Sequence, residues 1–367
     1  MSKALLRTCF ALTCLSVYSG LAFAQESPFL RNNSILDSLQ SITESTVPAN
    51  GDVNPYGVAF VPAGFPSGPN IAAGDLLVLN FNSNTGGEGT GTTIVSFSPT
   101  GQQSLFATSK LIGLSTALGF FARGFVLVGN VPVTYPGGVS TPGQGSLQIF
   151  DRSGNLLFTL NDKDLLDSPW DLTVNDQGST AQVFVSNLLS GTVTRLDFLV
   201  GHRGVLLVRK VQVGSGYGHV IIPAIVGVGP TGLAYDPGRD ILYVASTADN
   251  EIFAITDPLR RTISAGTGFV VFADQTHLHG PLGLVLGPNG NLIAANGDGV
   301  NLVAGTQNEL VEFTEEGDFV ATYQLDSGAL GAAFGIAGTP LSGGALRFAA
   351  VDDDLNTVTI WNLSSPF

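Results

Sequence analysis

Apolar residues alternate with small or polar ones in short bursts along this chain, and turns cut the bursts every few residues. The stretch from Gly229 to Ile255, GPTGLAYDPGRDILYVASTADNEIFAI, shows the unit. LAY stops at Asp236-Pro237-Gly238, where Pro presets φ, Gly accepts positive φ and Asp bonds its own backbone. ILYVAS then carries the β-branched and aromatic residues that suit a pleated, half-buried surface. After a second turn, TADN, the residues EIFAI alternate again. The pattern predicts an antiparallel meander. Strands this few and short bury too little of their own faces, so the unit needs neighbours.

It has them, because the pattern repeats. Pro-x-Gly followed by a small apolar strand occurs as NPYGVAF at Asn54, GPTGLAY at Gly229 and GPLGLVL at Gly280. A variant, SPWDLTV, begins at Ser168 and puts Asp171 in the Gly place; GAAFGIAG near Gly331 is a looser copy. The second strand of the unit recurs six times, ending at Asn80, Asn130, Asn187, Ser246, Asn296 and Asp352, with intervals of 50 to 59 residues. A third strand follows each copy (TIVSF, SLQIF, TVTRLDF, EIFAI, ELVEF, TVTIW), and a fourth follows all but the last. Four strands at this period predict an all-β, six-bladed β-propeller with four antiparallel strands per blade. The last blade runs out of chain after three, so an N-terminal strand must close it; ITESTV, Ile42 to Val47, is the candidate. SILDSLQSI just ahead also has helical spacing, with Ser34 and Asp37 as a cap pair. In the second blade no Pro-x-Gly precedes LSTALGF, which leaves its first strand open.

The first 24 residues read as a secretory signal: Lys3 and Arg7, an apolar run, and Ala22-Phe23-Ala24 before the expected cleavage. A lipoprotein reading through Cys14 is the weaker alternative, since Thr13 is a poor residue ahead of a lipidated Cys. The domain plan is therefore a signal peptide over 1–24, a segment with the ring-closing strand over 25–50, and the propeller over 51–367. The expected location is periplasmic or extracellular. Both cysteines, Cys9 and Cys14, lie in the signal, so a chain cleaved after Ala24 has neither disulfides nor thiol chemistry. Charged residues make up only 12% of the chain and the net charge is −14, which argues against nucleic acid as a partner, because that affinity rests on neutralising phosphates. No later apolar run is long enough to span a membrane. A monomer is expected, with a protein, glycan or small molecule as its ligand.

Strand order sets where a site belongs. Loops from second to third strand share a face with the linkers between blades. Onto that face fall the polar ring Asn80, Asn130, Asn187, Ser246, Asn296 and Asp352, and the long loops 82–91, 131–145 and 297–307. The ring offers oxygens to calcium or a polyol; equally, such residues at strand ends bond their own turns. His219 and the pair His277 and His279 lie in two successive linkers, where His277 and His279, two apart in extended chain, point the same way and suit a transition metal or a general base. Those linker histidines equally fit a role as hydrogen-bonded structural groups. Asp171, a carboxylate where other blades have Gly, needs a partner or a ligand.

PTGLAYDPGRDILYVASTADNEIFAI and its weaker copies resemble the NHL-repeat type of six-bladed propeller, over nearly the whole chain beyond the signal. The resemblance implies an architecture, which hosts lactonases, lyases, sensors and plain binding modules alike. Gluconolactonase-like propellers hold calcium with a Glu-Asn-Asp set whose Glu opens the first innermost strand; NPYGV has no Glu there. Amidating lyases use histidines from several blades, and virginiamycin B lyase-like propellers pair a His with acids, which His219, His277 and Asp171 only loosely imitate. The expectation is a binding module without chemistry, with a metal-dependent lactonase- or lyase-like enzyme as the alternative.

Overall fold

The computed structural model describes residues 34–36, 41–297, 310–325, 333–341 and 346–363. It forms six four-stranded antiparallel sheets and one two-stranded hairpin. Blade 1 runs β2 (Val53–Phe60), β3 (Leu76–Asn82), β4 (Thr93–Phe97) and β5 (Gln103–Thr108) from the channel outward. Blade 2 is β6 (Leu114–Phe121), β7 (Phe125–Asn130), β10 (Ser146–Asp151) and β11 (Leu156–Leu160), so LSTALGF is its innermost strand. Blade 3 is β12 (Pro169–Asp176), β13 (Thr180–Asn187), β14 (Thr192–Val200) and β15 (Val205–Ser215). Blade 4 is β16 (Pro230–Asp236), β17 (Ile241–Ser246), β18 (Glu251–Thr256) and β19 (Phe269–Phe272). Blade 5 is β20 (Pro281–Leu286), β21 (Leu292–Asn296), β22 (Leu310–Phe313) and β23 (Phe319–Tyr323). Blade 6 joins β24 (Ala333–Pro340), β25 (Leu346–Asp352) and β26 (Thr357–Leu363) to β1 (Ser41–Ser45), from the other end of the chain. Among the described residues no helix is long and apolar enough to cross a membrane.

The closing strand overlaps the expected stretch, starting one residue earlier and stopping at Ser45, paired antiparallel with β26 from Ser41↔Trp361 to Ser45↔Thr357. The helix read over SILDSLQSI falls largely on residues outside those described; Ser34 to Leu36 are not helical. The buried Glu312 carboxylate accepts from Ser34 Oγ at 2.8 Å and from Ile35 N at 2.9 Å, while Ser34 Oγ accepts from Leu36 N at 3.0 Å.

Pro-x-Gly acquires a physical meaning. Every innermost strand slips register just after the residue that pairs with the end of the second strand: Pro55/Val58, Leu114/Leu118, Pro169/Leu172, Pro230/Leu233, Pro281/Leu284 and Ala333/Ile336. This is a β-bulge repeated around the ring. The glycine that follows lets the next blade approach. A Cβ on Gly232 would lie 2.5 Å from Leu284 N, on Gly283 2.5 Å from Phe334 O, and on Gly335 2.0 Å from Tyr56 O. Between neighbouring blades lie the apolar clusters, such as Leu79, Ile94, Leu118 and Val128 between blades 1 and 2.

Candidate functional site

The polar ring does not line the channel. All six side chains are buried; the four asparagines tie linkers to blades, while Ser246 and Asp352 bond their own turns. Asn80 Nδ2 donates to Thr46 O at 3.0 Å, and Asn130 Nδ2 to Ile112 O at 3.1 Å. Asn187 accepts from Asp167 N at 3.1 Å and donates to Leu165 O at 3.2 Å. Asn296 accepts from His279 N at 3.0 Å and donates to His277 O at 2.8 Å. Ser246 Oγ donates to Asp249 Oδ2 at 2.7 Å, and Asp352 Oδ1 accepts from Leu355 N at 2.9 Å. An amide at the end of the second strand meets the incoming linker's unpaired backbone, which explains why asparagine recurs there.

In blades 4 to 6 the residue that reaches the channel mouth is one position further on. Successive side chains of a strand face opposite ways, so the residue after each latch turns to the other side. Thr247, Gly297 and Asp353 line a cavity of about 120 Å³ at the mouth. Phe81, Val131 and Leu188, the corresponding residues of the first three blades, pack in one cluster with Tyr56, Trp170, Leu282 and Phe334. Those last four are the residues after the bulge-opening Pro or Ala, and all four line the cavity. The signal for them was the x of Pro-x-Gly, large and apolar in most copies.

Rings close the inner end of the cavity. Tyr56 stacks on Phe81 with centroids 4.3 Å apart and on Phe334 at 4.1 Å, while Trp170 stands tilted at 5.9 Å. The rim is polar: Asn54, Glu88, Thr247 and Asp353. Among the described lining residues there are two carboxylates and no Lys, Arg or His. Asn54 is held in the left-handed region at φ 60°, with its N–H donating to Asn356 Oδ1 at 2.6 Å. Its own Oδ1 is buried and has no hydrogen-bond partner in the protein. Glu88 comes from the long loop 82–91, where Asn82 Nδ2 donates to Glu88 Oε1 at 3.0 Å and Asn82 Oδ1 accepts from Gly89 N at 2.9 Å. Tyr135 Oη then donates to Glu88 O at 2.6 Å.

Tyr135 belongs to the second long loop, which folds into the hairpin β8 (Val133–Thr134) and β9 (Thr141–Pro142) around a 3-10 turn at Pro136–Gly138. Ser140 of this hairpin bonds Pro223 O in the linker from blade 3 to blade 4. That linker roofs the mouth with Ala224, Ile225, Gly227 and Val228. The third long loop, 297–307, lies outside the described residues except for Gly297.

The histidines do not assemble. His277 Nδ1 bonds Asp274 Oδ2 at 2.5 Å, and its ring stacks on Phe319 at 3.8 Å, toward the outer strand of blade 5. Burial alone would raise the Asp274 carboxyl, but the His277 ring and the amides of Thr276 and His277 together hold it below its ordinary value. His279 Nε2 lies 3.2 Å from Thr276 O, and buried Leu278 separates the two rings in sequence. The pair therefore does not present two imidazoles to one ligand: the segment turns instead of running extended. His219 Nδ1 lies 3.0 Å from Tyr217 O. Among the described residues no three His, Cys, Asp or Glu come together as a metal cluster.

Asp171 is in the wall between blades 3 and 4. Where other blades use Gly to admit the next strand, its carboxylate reaches across and accepts from Leu233 N at 3.2 Å, and from Leu172 N at 2.8 Å. Burial pushes its carboxyl up to about 8, against the pull of those two amides. It keeps some open surface, but its neighbours Trp170 and Leu172 line the two ends of the channel, so that surface faces a narrow lumen and burial prevails.

No family profile matches the chain, and no curated protein sequence matches it. Solved structures do. Regucalcin from Agrobacterium tumefaciens, a calcium-binding protein, aligns over 88% of this chain and 95% of its own at 14% identity, with a TM-score of 0.50. A Thermus thermophilus protein named as an oxidoreductase, a glucose dehydrogenase, aligns over 88% and 100% at 15% identity, with a TM-score of 0.52. A chain of the mitotic checkpoint complex aligns over 97% and 100% at 11% identity, with a TM-score of 0.50. Identities this low establish a shared propeller fold.

Proposed function

We propose that the protein is an exported, monomeric propeller enzyme acting on small hydroxylated molecules at the channel mouth, with a divalent cation held by Asn54, Glu88 and Asp353. The observation that carries this reading is the buried, unpartnered Asn54 Oδ1 on a cavity that also has two carboxylates. An orphaned buried acceptor costs about 1–3 kcal/mol, so something outside the polypeptide is expected to satisfy it. Amide and carboxylate oxygens are the ligands that hard cations prefer, and a mouth with two acids and no base among its described lining attracts a cation and repels an anion. Such a cation, when bound, polarises a carbonyl or lowers the pKa of a bound water. The chain's own contribution is orientation and exclusion of water: Asn82 and Tyr135 position Glu88 and its loop, and Tyr56, Trp170, Leu282 and Phe334 make the inner end apolar.

This set differs from the pattern in which a Glu opens the first innermost strand, because Asn54 stands at that place. The NHL-type resemblance and export are part of the same proposal, supported by the repeat and the leader. That regucalcin binds calcium, and that the Thermus protein is named for a sugar oxidation, is consistent with this chemistry. A small concave cavity with acids on its rim suits a small molecule better than a protein partner. A binding module without chemistry would use the same cavity and lack only the cation.

Calorimetric calcium titration of the chain from Gln25, with Asn54→Gly as the comparison, tests the cation on which the enzyme reading depends. Gly takes φ 60° without strain, so this variant removes the oxygen and spares the turn. The expected result is stoichiometric heat for the parent and binding at least about tenfold weaker for the variant. No heat with calcium, magnesium or manganese in the parent overturns the cation and leaves a binding propeller.

A further inference from the structure

Asn54 and Trp170, which both line the mouth cavity, each carry a buried polar atom with no hydrogen-bond partner in the protein. One is Asn54 Oδ1; the other is Trp170 Nε1, on a residue only 2% exposed. Indole N–H is a donor and nothing else, so what completes it must carry an acceptor. Resting on the reading of this cavity as the site, we infer that it takes a neutral five- or six-membered ring bearing an acceptor oxygen, and that Trp170 selects that oxygen.

Each element of this class has its own observation. Size comes from the cavity: about 120 Å³ compares with the roughly 150 Å³ that holds benzene in an engineered core. Two carboxylates with no base among the described lining residues repel an anion, and the divalent cation proposed between them takes up their charge, which leaves a neutral ring as the ligand. Tyr56 offers no face for stacking, since Phe81 and Phe334 cover both sides; a ring must instead lie against Leu282, Ile225, Val228 and the indole. The acceptor is demanded by Trp170 Nε1.

Access comes from the roof. Trp170 Nε1 and Asn54 Oδ1 are out of reach of water as well as unpartnered, so a ligand reaches them only by displacing a neighbour. The linker 220–228 is built to give way. Val220 and Val228 exchange both backbone bonds at 2.9 Å and pin its neck, while the tip between them overlies the mouth. Val226 in that tip is β-branched yet sits at φ 69°, a strained conformation held by its burial. Lifting the tip releases that strain and uncovers the indole.

The chain has two tryptophans, which supplies an internal reference. Trp361 Nε1 is also buried and unpartnered, but it packs between blades 5 and 6, away from the cavity. The test is a proton–nitrogen correlation spectrum of the Trp-labelled chain from Gln25, titrated with cyclopentanone, cyclopentanecarboxylate and cyclopentane, in calcium and again in EDTA. The Trp170 indole resonance, assigned with Trp170→Phe, should shift saturably with the ketone alone, while Trp361 stays still. Saturation-transfer signals from the ketone should show roughly tenfold weaker binding to Trp170→Phe, which keeps a ring and loses the donor. A Trp170 resonance unmoved by the ketone, or moved equally by the acid or the hydrocarbon, overturns the inference. A ketone shift that persists in EDTA, with no calcium heat, supports it while removing the cation. Calcium heat without any Trp170 shift does the reverse.

Discussion

Asp171 shows what a single exchange within a repeat does. Its carboxyl ordinarily ionises at 3.8 and is pushed up to about 8 by burial, with the Leu172 and Leu233 amides opposing. Between those values the folded chain holds a proton that the unfolded chain has released. The group's contribution is therefore complete below the lower value, is lost as pH rises toward about 8, and changes no further above that. Asp171→Asn cannot titrate, so its melting temperature should fall less steeply than the parent's from about pH 5 to pH 9. Scanning calorimetry at matched ionic strength reads the two slopes, and identical slopes would assign the pH dependence to another group.

At the scale of elements, the N-terminal segment acts twice in blades 5 and 6. Ile35 and Leu36 are buried in the cluster that includes Ile293, Leu310, Phe348 and Trp361. The fully buried Glu312 holds them, with Asn289 and Asn291 donating to its other oxygen at 2.9 and 2.8 Å. A few residues later β1 covers the edge of β26, with the Thr43 and Thr359 hydroxyls 3.0 Å apart. Starting the chain at Pro48 removes both contacts, opens an edge strand and takes two hydrogen bonds from a buried carboxylate. The expected cost is at least about 2 kcal/mol from the carboxylate alone, and the exposed edge should self-associate. Sedimentation and thermal melting against the chain from Gln25 measure this; a truncated protein as monodisperse and heat-stable as the parent would show that β1 does not bear the closure.

At the scale of the molecule, closure makes the ring one cooperative body. Blade 6 is assembled from both ends of the chain, and each Pro-x-Gly bulge is packed against the next blade, so no blade leaves without breaking its neighbours. Trp170 reports on the mouth and Trp361 on the closing blade. In Trp170→Phe and Trp361→Phe, the remaining indole should give the same fraction unfolded as far-ultraviolet circular dichroism at every denaturant concentration. Separated midpoints would mean that the closing blade opens by itself.

The architecture was legible in the chain because it rests on local rules. Alternation marks strands, Pro, Gly and Asp mark turns, and a period of 50 to 59 residues marks the blade, all readable without knowing what touches what. Even the closing strand followed from a count that fell one strand short. The site followed a different logic. Asn80, Asn187 and Asn296 were conspicuous because they recur, and they recur because the linker into each of those blades needs the same latch. The mouth is made of what varies at the neighbouring position: Thr247, Gly297 and Asp353 line it, while Phe81, Val131 and Leu188 pack beneath it. A shift of one residue in a strand changes the face, so choosing between the two rings required knowing which side turns to the channel. Asn54, Glu88 and Asp353 are far apart in sequence and share no motif. Only closure of the ring, which brings the first blade against the last, puts all three on one cavity.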